Sequence, residues 1–453
     1  IREGDSRSLD SSATLKDLVE ALHAAGIKLI LDVVCNHSSP DVNGSKGVVY
    51  DDGRLLADFN NDTNGFYYHY PEITDWEDEF QLIHGEMMGL ATFNEQNIEF
   101  RNYIKDAIKA WLDAGVDALR VDTLKHMPIW FWQEFTTDMQ AHKPGLFLFG
   151  EYGFSKPWDQ RSVAYANCSG MSILDFGLSD GIRFAFSGQV PGGFGLVQRV
   201  LDMDHVYRRA NELVTFIDNH DMPRFLSIAP NPRHLELAVV LLFTLRGVPC
   251  LFYGTEQYLH NSTNGGEDPY NRPMMEVWDE HSNLYQMTQA LAALRKENQA
   301  LTFGSHQQHY VSESIYAYSR SYRDFHAFVV VNQSHAATVR VADTGLPQGV
   351  YRCVLSGDAI VVGQDGSAEI AIPAESARVL SLLGRRVEGP VVGVFQLNGF
   401  RTAPGESLAL TGSCPELGGW DHDRAYGLEY VNANTWIGEV AFDRSAGSLI
   451  DYK

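Results

Sequence analysis

The chain has 453 residues, with 35 Lys plus Arg against 58 Asp plus Glu, a formal charge of −23 when histidines are neutral. So acidic a surface repels phosphate backbones and anionic lipid, which argues against nucleic-acid and membrane partners, while 44% hydrophobic and 21% charged residues are the composition of a globular chain. The five cysteines, Cys35, Cys168, Cys250, Cys353 and Cys414, are too scattered for a disulfide framework or a CxxC metal site, and no apolar run is long enough for a spanning helix.

Apolar Leu15, Leu18, Val19 and Leu22 recur at helical spacing and predict a helix over 14–25, stopped by Gly26. A buried strand is predicted over 27–34. Alternation continues with a helix over 98–114, a strand over 116–122, a helix over 129–141 and a strand over 146–151. Further strands are predicted at 171–176, 213–218 and 250–253, and further helices at 193–209, 234–245 and 284–297. Strands alternating with helices predict a parallel α/β fold. Two insertions interrupt it, one at 38–89 rich in Asp, Asn, Gly and Tyr, and a glycine-rich one at 263–272. From residue 303 the apolar period becomes two, which predicts an all-β domain over 303–384. A linker-like stretch then leads to strand-like sequence over 391–453.

Polar residues gather where the predicted strands end. Asp32 and His37 close the first; Arg120 and Asp122, two apart on the next, point to the same side. Glu151 ends a third, and His220 with Asp221 follows a later one. In a parallel barrel all these ends open onto one face. Carboxylates, histidines and an arginine in that arrangement suit cleavage of a glycosidic bond, which needs a proton for the leaving oxygen and a negative group facing an oxocarbenium-like carbon. An arginine beside a carboxylate favours its ionised form, as a nucleophile requires, whereas the acid partner needs drier or more negative surroundings. The absence of any HxH or HxxxH pair among these residues argues against a catalytic transition metal.

The segments DVVCNH at 32–37, LRVDTLKH at 119–126, GE at 150–151 and FIDNHD at 216–221 resemble, in order and strand placement, the four sequence regions of the α-amylase family, glycoside hydrolase family 13. LATFN at 90–94, GVP at 247–249 and YGTEQ at 253–257 resemble further family positions. Within the family, SGMSILDF at 169–176 and DPYNR at 268–272 are most like cyclodextrin glucanotransferases and related amylases. The resemblance implies a (β/α)8 barrel over 1–302 with an inserted subdomain at 38–89, of which the first two β/α units are expected to precede Ile1. It implies Asp122 as nucleophile, Glu151 as general acid and then base, and Asp221 as the carboxylate that holds the distorted sugar. Arg120 is implied to pair with Asp122, and His37 and His220 to bond sugar hydroxyls. Lys125 and His126 match acceptor-side positions; Asp268 and Arg272 match donor-side ones.

Three departures qualify the likeness. The family's structural calcium is held by an asparagine matching Asn36, a carboxylate, and backbone oxygens including that of His126; the carboxylate position here is Thr92, which implies a weaker or absent site. The cleft-centre aromatic of cyclodextrin-forming members is Met88, and a second aromatic, two residues after the acid, is Gly153. Losing those stacking surfaces should help water compete as acceptor. The tail, from Gly405 through ELGGWD at 416–421 to Trp436, resembles part of a family 20 starch-binding module, with Trp420 and Trp436 as candidate stacking residues. The expectation is therefore a secreted, extracellular, monomeric enzyme that hydrolyses internal α-1,4 bonds of starch or related α-glucans with retention. The alternatives are a cyclising or disproportionating 4-α-glucanotransferase, and a non-catalytic starch-binding protein.

Overall fold

The computed structural model describes residues 14–443 and 449–453. The chain divides into two compact units, Ile1–Ser155 with Asp159–Leu174, and Lys156–Trp158 with Asp175–Lys453.

In the first unit, helix Leu15–Ala24 begins with a capping box: Thr14 Oγ1 accepts from the Asp17 amide, and the Asp17 carboxylate accepts from the Thr14 amide. A parallel sheet follows chain order, Ile30–Val33, Ala118–Val121, Phe147–Gly150 and Ser172–Ile173. Helices Ile98–Asp113, Ile129–His142 and Gln160–Cys168 join these strands. Phe131, Trp132 and Phe135 are buried on the second helix, and the Trp132 indole N–H donates to Leu124 O at 2.9 Å. The register sets Asp32 beside Arg120. Ladder bonds run one residue past the strands, Asp122 N to Val33 O and Glu151 N to Val121 O, so both carboxylates stand at the sheet's C-terminal edge. An aromatic stack ties the insertion to the following helix: Tyr67 stacks on Phe93 at 4.9 Å and Phe93 on Phe100 of Ile98–Asp113 at 4.5 Å.

In the second unit, strands Val214–Thr215 and Val248–Pro249 pair in parallel. Helix Pro232–Thr244 is buried along residues 235–244, the burial of a helix covered on all sides. Helices Phe176–Ser187, Gly195–Leu201 and Asn283–Glu297 pack in the same unit. Arg246 is buried between Asp175 and Asp204, with Nη2 2.7 Å from Asp204 Oδ1. An antiparallel sheet then forms in the order Ser376–Leu382, Phe325–Asn332, Ile315–Tyr322, Ser305–Val311. A last sheet pairs Val391–Asn398, Thr435–Phe442 and Glu429–Asn432.

Several elements differ from the sequence reading. The helix expected over 193–209 ends at Leu201, because the following turn commits Asp204 to Arg246. The strand expected at 250–253 is Val248–Pro249; Phe252 and Tyr253 instead lie against the Arg224 guanidinium, 3.9 and 4.5 Å from its carbon. Helices Gln160–Cys168 and Phe176–Ser187 were not anticipated.

Candidate active site

One guanidinium organises the first unit's strand ends. Arg120 Nη1 lies 2.6 Å from Asp122 Oδ1 and 2.9 Å from Asp32 Oδ1, and Nη2 lies 2.7 Å from Glu151 Oε2. Its rigid fork fixes the Asp122 and Glu151 carboxyls side by side. Burial works against the Arg120 charge, but the carboxylates of Glu151, Asp32 and Asp122 outweigh it and hold the guanidinium firmly protonated. Asp32 is the most exposed of the three acids, at 55% against 22% for Asp122 and 15% for Glu151, which suits a supporting place. His37 Nδ1 is 3.2 Å from Asn36 Oδ1. Burial lowers the His37 pKa, with Asp122 opposing, so its ring is neutral at neutral pH and able to bond a hydroxyl.

Lys125 stands on the turn after the Asp122 strand. Its ammonium lies 5.6 Å from the Trp76 ring and 5.9 Å from the Phe154 ring. Burial lowers its pKa, with Glu151 opposing. Trp76, Lys125, Tyr152, Gly153, Phe154 and Arg161 are among the walls of a cavity of about 220 Å³. Trp76 and Phe154 were missed in the sequence, one inside the irregular insertion and the other a single residue beyond the expected position. Gly153 does lack an aromatic ring, but Phe154, at φ 64° and 75% exposed, supplies one beside it. Met88 is also an exposed, positive-φ residue, with no ring to offer.

His126 requires a correction. It was expected to meet the sugar, but its side chain is buried and its Nδ1 donates to Leu82 O at 2.9 Å, with the ring edge-on to Trp76 at 6.0 Å. It supports the Trp76 wall. The calcium expectation meets the same obstacle. Asn36 Nδ2 donates to His126 O at 2.9 Å, and Thr92 Oγ1 donates to Gly85 O at 2.8 Å. A hydrogen-bond donor faces the His126 oxygen that a cation would use, and among the described residues no group of three His, Cys, Asp or Glu could hold a metal. Asn36, His126 and Thr92 do not fit calcium.

The second unit carries its own polar group. His220 Nε2 is 3.1 Å from Asp221 Oδ2, and Arg272 lies 3.7 Å from Asp221 Oδ1 and 3.2 Å from Asp268 Oδ1. Arg272 Nε and Asn271 Nδ2 both donate to His220 O, which fixes this loop against the next. The neighbouring Asp218 is buried and accepts from Phe225 N and Thr255 Oγ1, the pattern of a structural acid. His220, Asp221, Asp268 and Arg272 are 43 to 61% exposed, open to a ligand.

Against known families, residues 10–298 match the α-amylase catalytic domain. The chain belongs to the α-amylase family. Residues 308–382 match the family's C-terminal all-beta domain and residues 391–453 a starch-binding domain. Similar proteins include cyclomaltodextrin glucanotransferases from Niallia circulans (39% identical over 76% of this chain and 48% of theirs) and Thermoanaerobacterium thermosulfurigenes (33% over 98% and 60%). An α-amylase from Niallia circulans is 36% identical over 79% of this chain and 69% of its own. This chain thus spans about half to three-fifths of the length of those glucanotransferases. Among solved structures, the three-domain cyclomaltodextrin glucanotransferase CldA superposes with a TM-score of 0.78 at 36% identity, covering 82% of this chain and 78% of that one. The γ-cyclodextrin glucanotransferase of Bacillus clarkii also gives 0.78, at 27% identity over 97% and 78%. The fold is the α-amylase barrel with an all-β C-terminal domain and a starch-binding domain.

In the starch-binding domain of this α-amylase family member, Trp420 is 49% exposed on a positive-φ turn, a free indole face. Trp436 is not: it is 5% exposed and packs with Leu417, Leu428, Val440 and Phe442 in the domain core. The reading of Trp436 as a stacking residue is therefore corrected. Tyr430 meets it edge-on at 5.4 Å.

Proposed function

We propose that this enzyme cleaves α-1,4-glucosidic bonds of starch-type glucans with retention, releasing linear products. The observation that carries this is the Arg120 fork, which holds a nucleophile candidate and an acid candidate side by side. Asp122 attacks the anomeric carbon while Glu151, protonated on the oxygen that does not accept from Arg120, gives its proton to the leaving oxygen; a glycosyl ester forms as the glucosidic bond breaks. Glu151, now a carboxylate, takes a proton from water as its oxygen attacks the same carbon and expels Asp122. Neutral His37 bonds a hydroxyl of the reacting sugar. Asp221, with His220, steadies the distorted ring, and Lys125 with the Trp76 and Phe154 faces receives the leaving portion. Asp268 and Arg272 contact the donor chain, and Trp420 holds the module to starch.

Transfer to a sugar acceptor is a second reading, favoured by a specific observation: Trp76 and Phe154 restore the aromatic acceptor wall that Gly153 lacks. The glucanotransferase relatives point the same way. Digestion of starch with product analysis decides. Linear malto-oligosaccharides released as α-anomers support hydrolysis; dominant cyclodextrins establish transfer, and initial release of β-anomers overturns retention.

A further inference from the structure

Asn36, Thr92 and His126 are 1, 1 and 3% exposed, so their polar atoms must be satisfied inside the protein. Each donates to one backbone carbonyl: Asn36 Nδ2 to His126 O, His126 Nδ1 to Leu82 O, and Thr92 Oγ1 to Gly85 O, at 2.8 to 2.9 Å. A carbonyl can only accept, which fixes the donor roles of His126 Nδ1 and Thr92 Oγ1. The Asn36 amide is oriented by both its contacts, nitrogen to His126 O and oxygen to His37 Nδ1.

The three bonds join separate pieces of chain. Leu82 lies in the last turn of helix Glu79–His84, whose carbonyls have no partner within the helix. Gly85 caps that helix. Asn36 follows strand Ile30–Val33, His126 closes the turn after Ala118–Val121, and Thr92 bridges to His37. Calcium at this place would need six to eight oxygen ligands, with carboxylates to offset its charge. The acid next to Gly85 is Glu86, and Lys46 holds it at 2.6 Å.

We propose that these three neutral hydrogen bonds do the work of the family's structural calcium, so that the insertion is locked to the strand ends without a metal. The lock joins the same segments while leaving no set of free, charged oxygens. Thr92 is the deciding residue, since its hydroxyl both removes the carboxylate and occupies a carbonyl.

The test is calcium titration by calorimetry with parallel thermal melts of the whole chain in chelator and in millimolar calcium. The wild type should take up no calcium at this node and melt at the same temperature in both. Thr92→Val, which orphans Gly85 O, should melt roughly 2–4 °C lower in both. Thr92→Asp should melt lower in chelator and recover with calcium, binding one ion. A wild type that binds one calcium ion and loses it on Asn36→Leu overturns the proposal; bound calcium that survives Asn36→Leu lies elsewhere and leaves the lock as described. If Thr92→Asp does not fold, the wild-type and Asn36→Leu titrations still decide.

Discussion

Arg120 and Glu151 meet at 2.7 Å, a contact that the sequence reading, which paired Arg120 with Asp122 alone, did not contain. Because the same guanidinium bonds Asp122 at 2.6 Å, it sets the spacing of the two acids as well as the charge near them. Arg120→Lys keeps a positive charge but cannot reach both acids with a planar fork. It should lower kcat by about 100-fold or more with little change in KM, since the loss falls on the arrangement of reacting groups and not on sugar binding. Steady-state kinetics on a soluble maltooligosaccharide check this; a KM increase at unchanged kcat would show that Arg120 acts in binding.

Much of this site was legible because a short apolar run followed by polar residues marks the end of a parallel strand, as at Asp122 and Glu151. What stayed hidden depended on distant partners. His126 follows its strand like a ligand-facing residue, yet it is claimed by Leu82 O, 44 positions earlier in the chain. Trp436 lies in a strand whose residues 435–440 are all buried, because Trp436 faces the module's own core while Ile437 faces Ala300, Tyr322 and Phe325, which lie outside the module. Period-two alternation identifies a buried face only when the other face meets water, so that strand gave no sign of which tryptophan was free.

The aromatic pair beside Lys125 should set the balance between water and sugar as acceptor. Phe154→Ala and Trp76→Ala each remove a stacking face, worth about 1 kcal/mol by analogy with other aromatic contacts. The expected result is a several-fold fall in the ratio of transfer to hydrolysis, with total bond cleavage changed less. Product ratios with maltotriose as added acceptor would show it. An unchanged ratio in the double variant would mean that acceptors bind away from this cavity.

The two tryptophans of the starch-binding domain should separate cleanly. Trp420→Ala should weaken adsorption to granular starch about 5- to 10-fold, in line with a loss of about 1 kcal/mol of stacking, and leave the melting temperature in place. Trp436→Ala opens a cavity in the domain core and should cost about 3–5 kcal/mol of stability. Adsorption isotherms and denaturant melts distinguish the roles. Equal stability losses in both variants would contradict the assignment of Trp420 as an exposed contact.

Stability should fall on the acid side of neutrality, partly through His306. The Tyr316 hydroxyl donates to Gln198 Oε1 at 2.6 Å, so His306 Nε2–H donates to the Tyr316 oxygen at 2.9 Å, and the buried Nδ1 finds no hydrogen-bond partner among the described residues. Burial first, and then the positive charges of Arg320 and Arg246, drive its pKa well below the ordinary 6.5. The unfolded chain therefore binds a proton at His306 below about pH 6.5 that the native state refuses. Stability is full above that pH and declines as pH drops, by up to about 1.4 kcal/mol per pH unit for this group. Burial similarly lowers His37, His309 and His326, so the whole protein should slope more steeply. Urea unfolding at pH 7, 6 and 5 should give a shallower decline for His306→Gln than for the wild type, even though the variant starts from a lower value. Parallel slopes would show that His306 takes up its proton equally in both states.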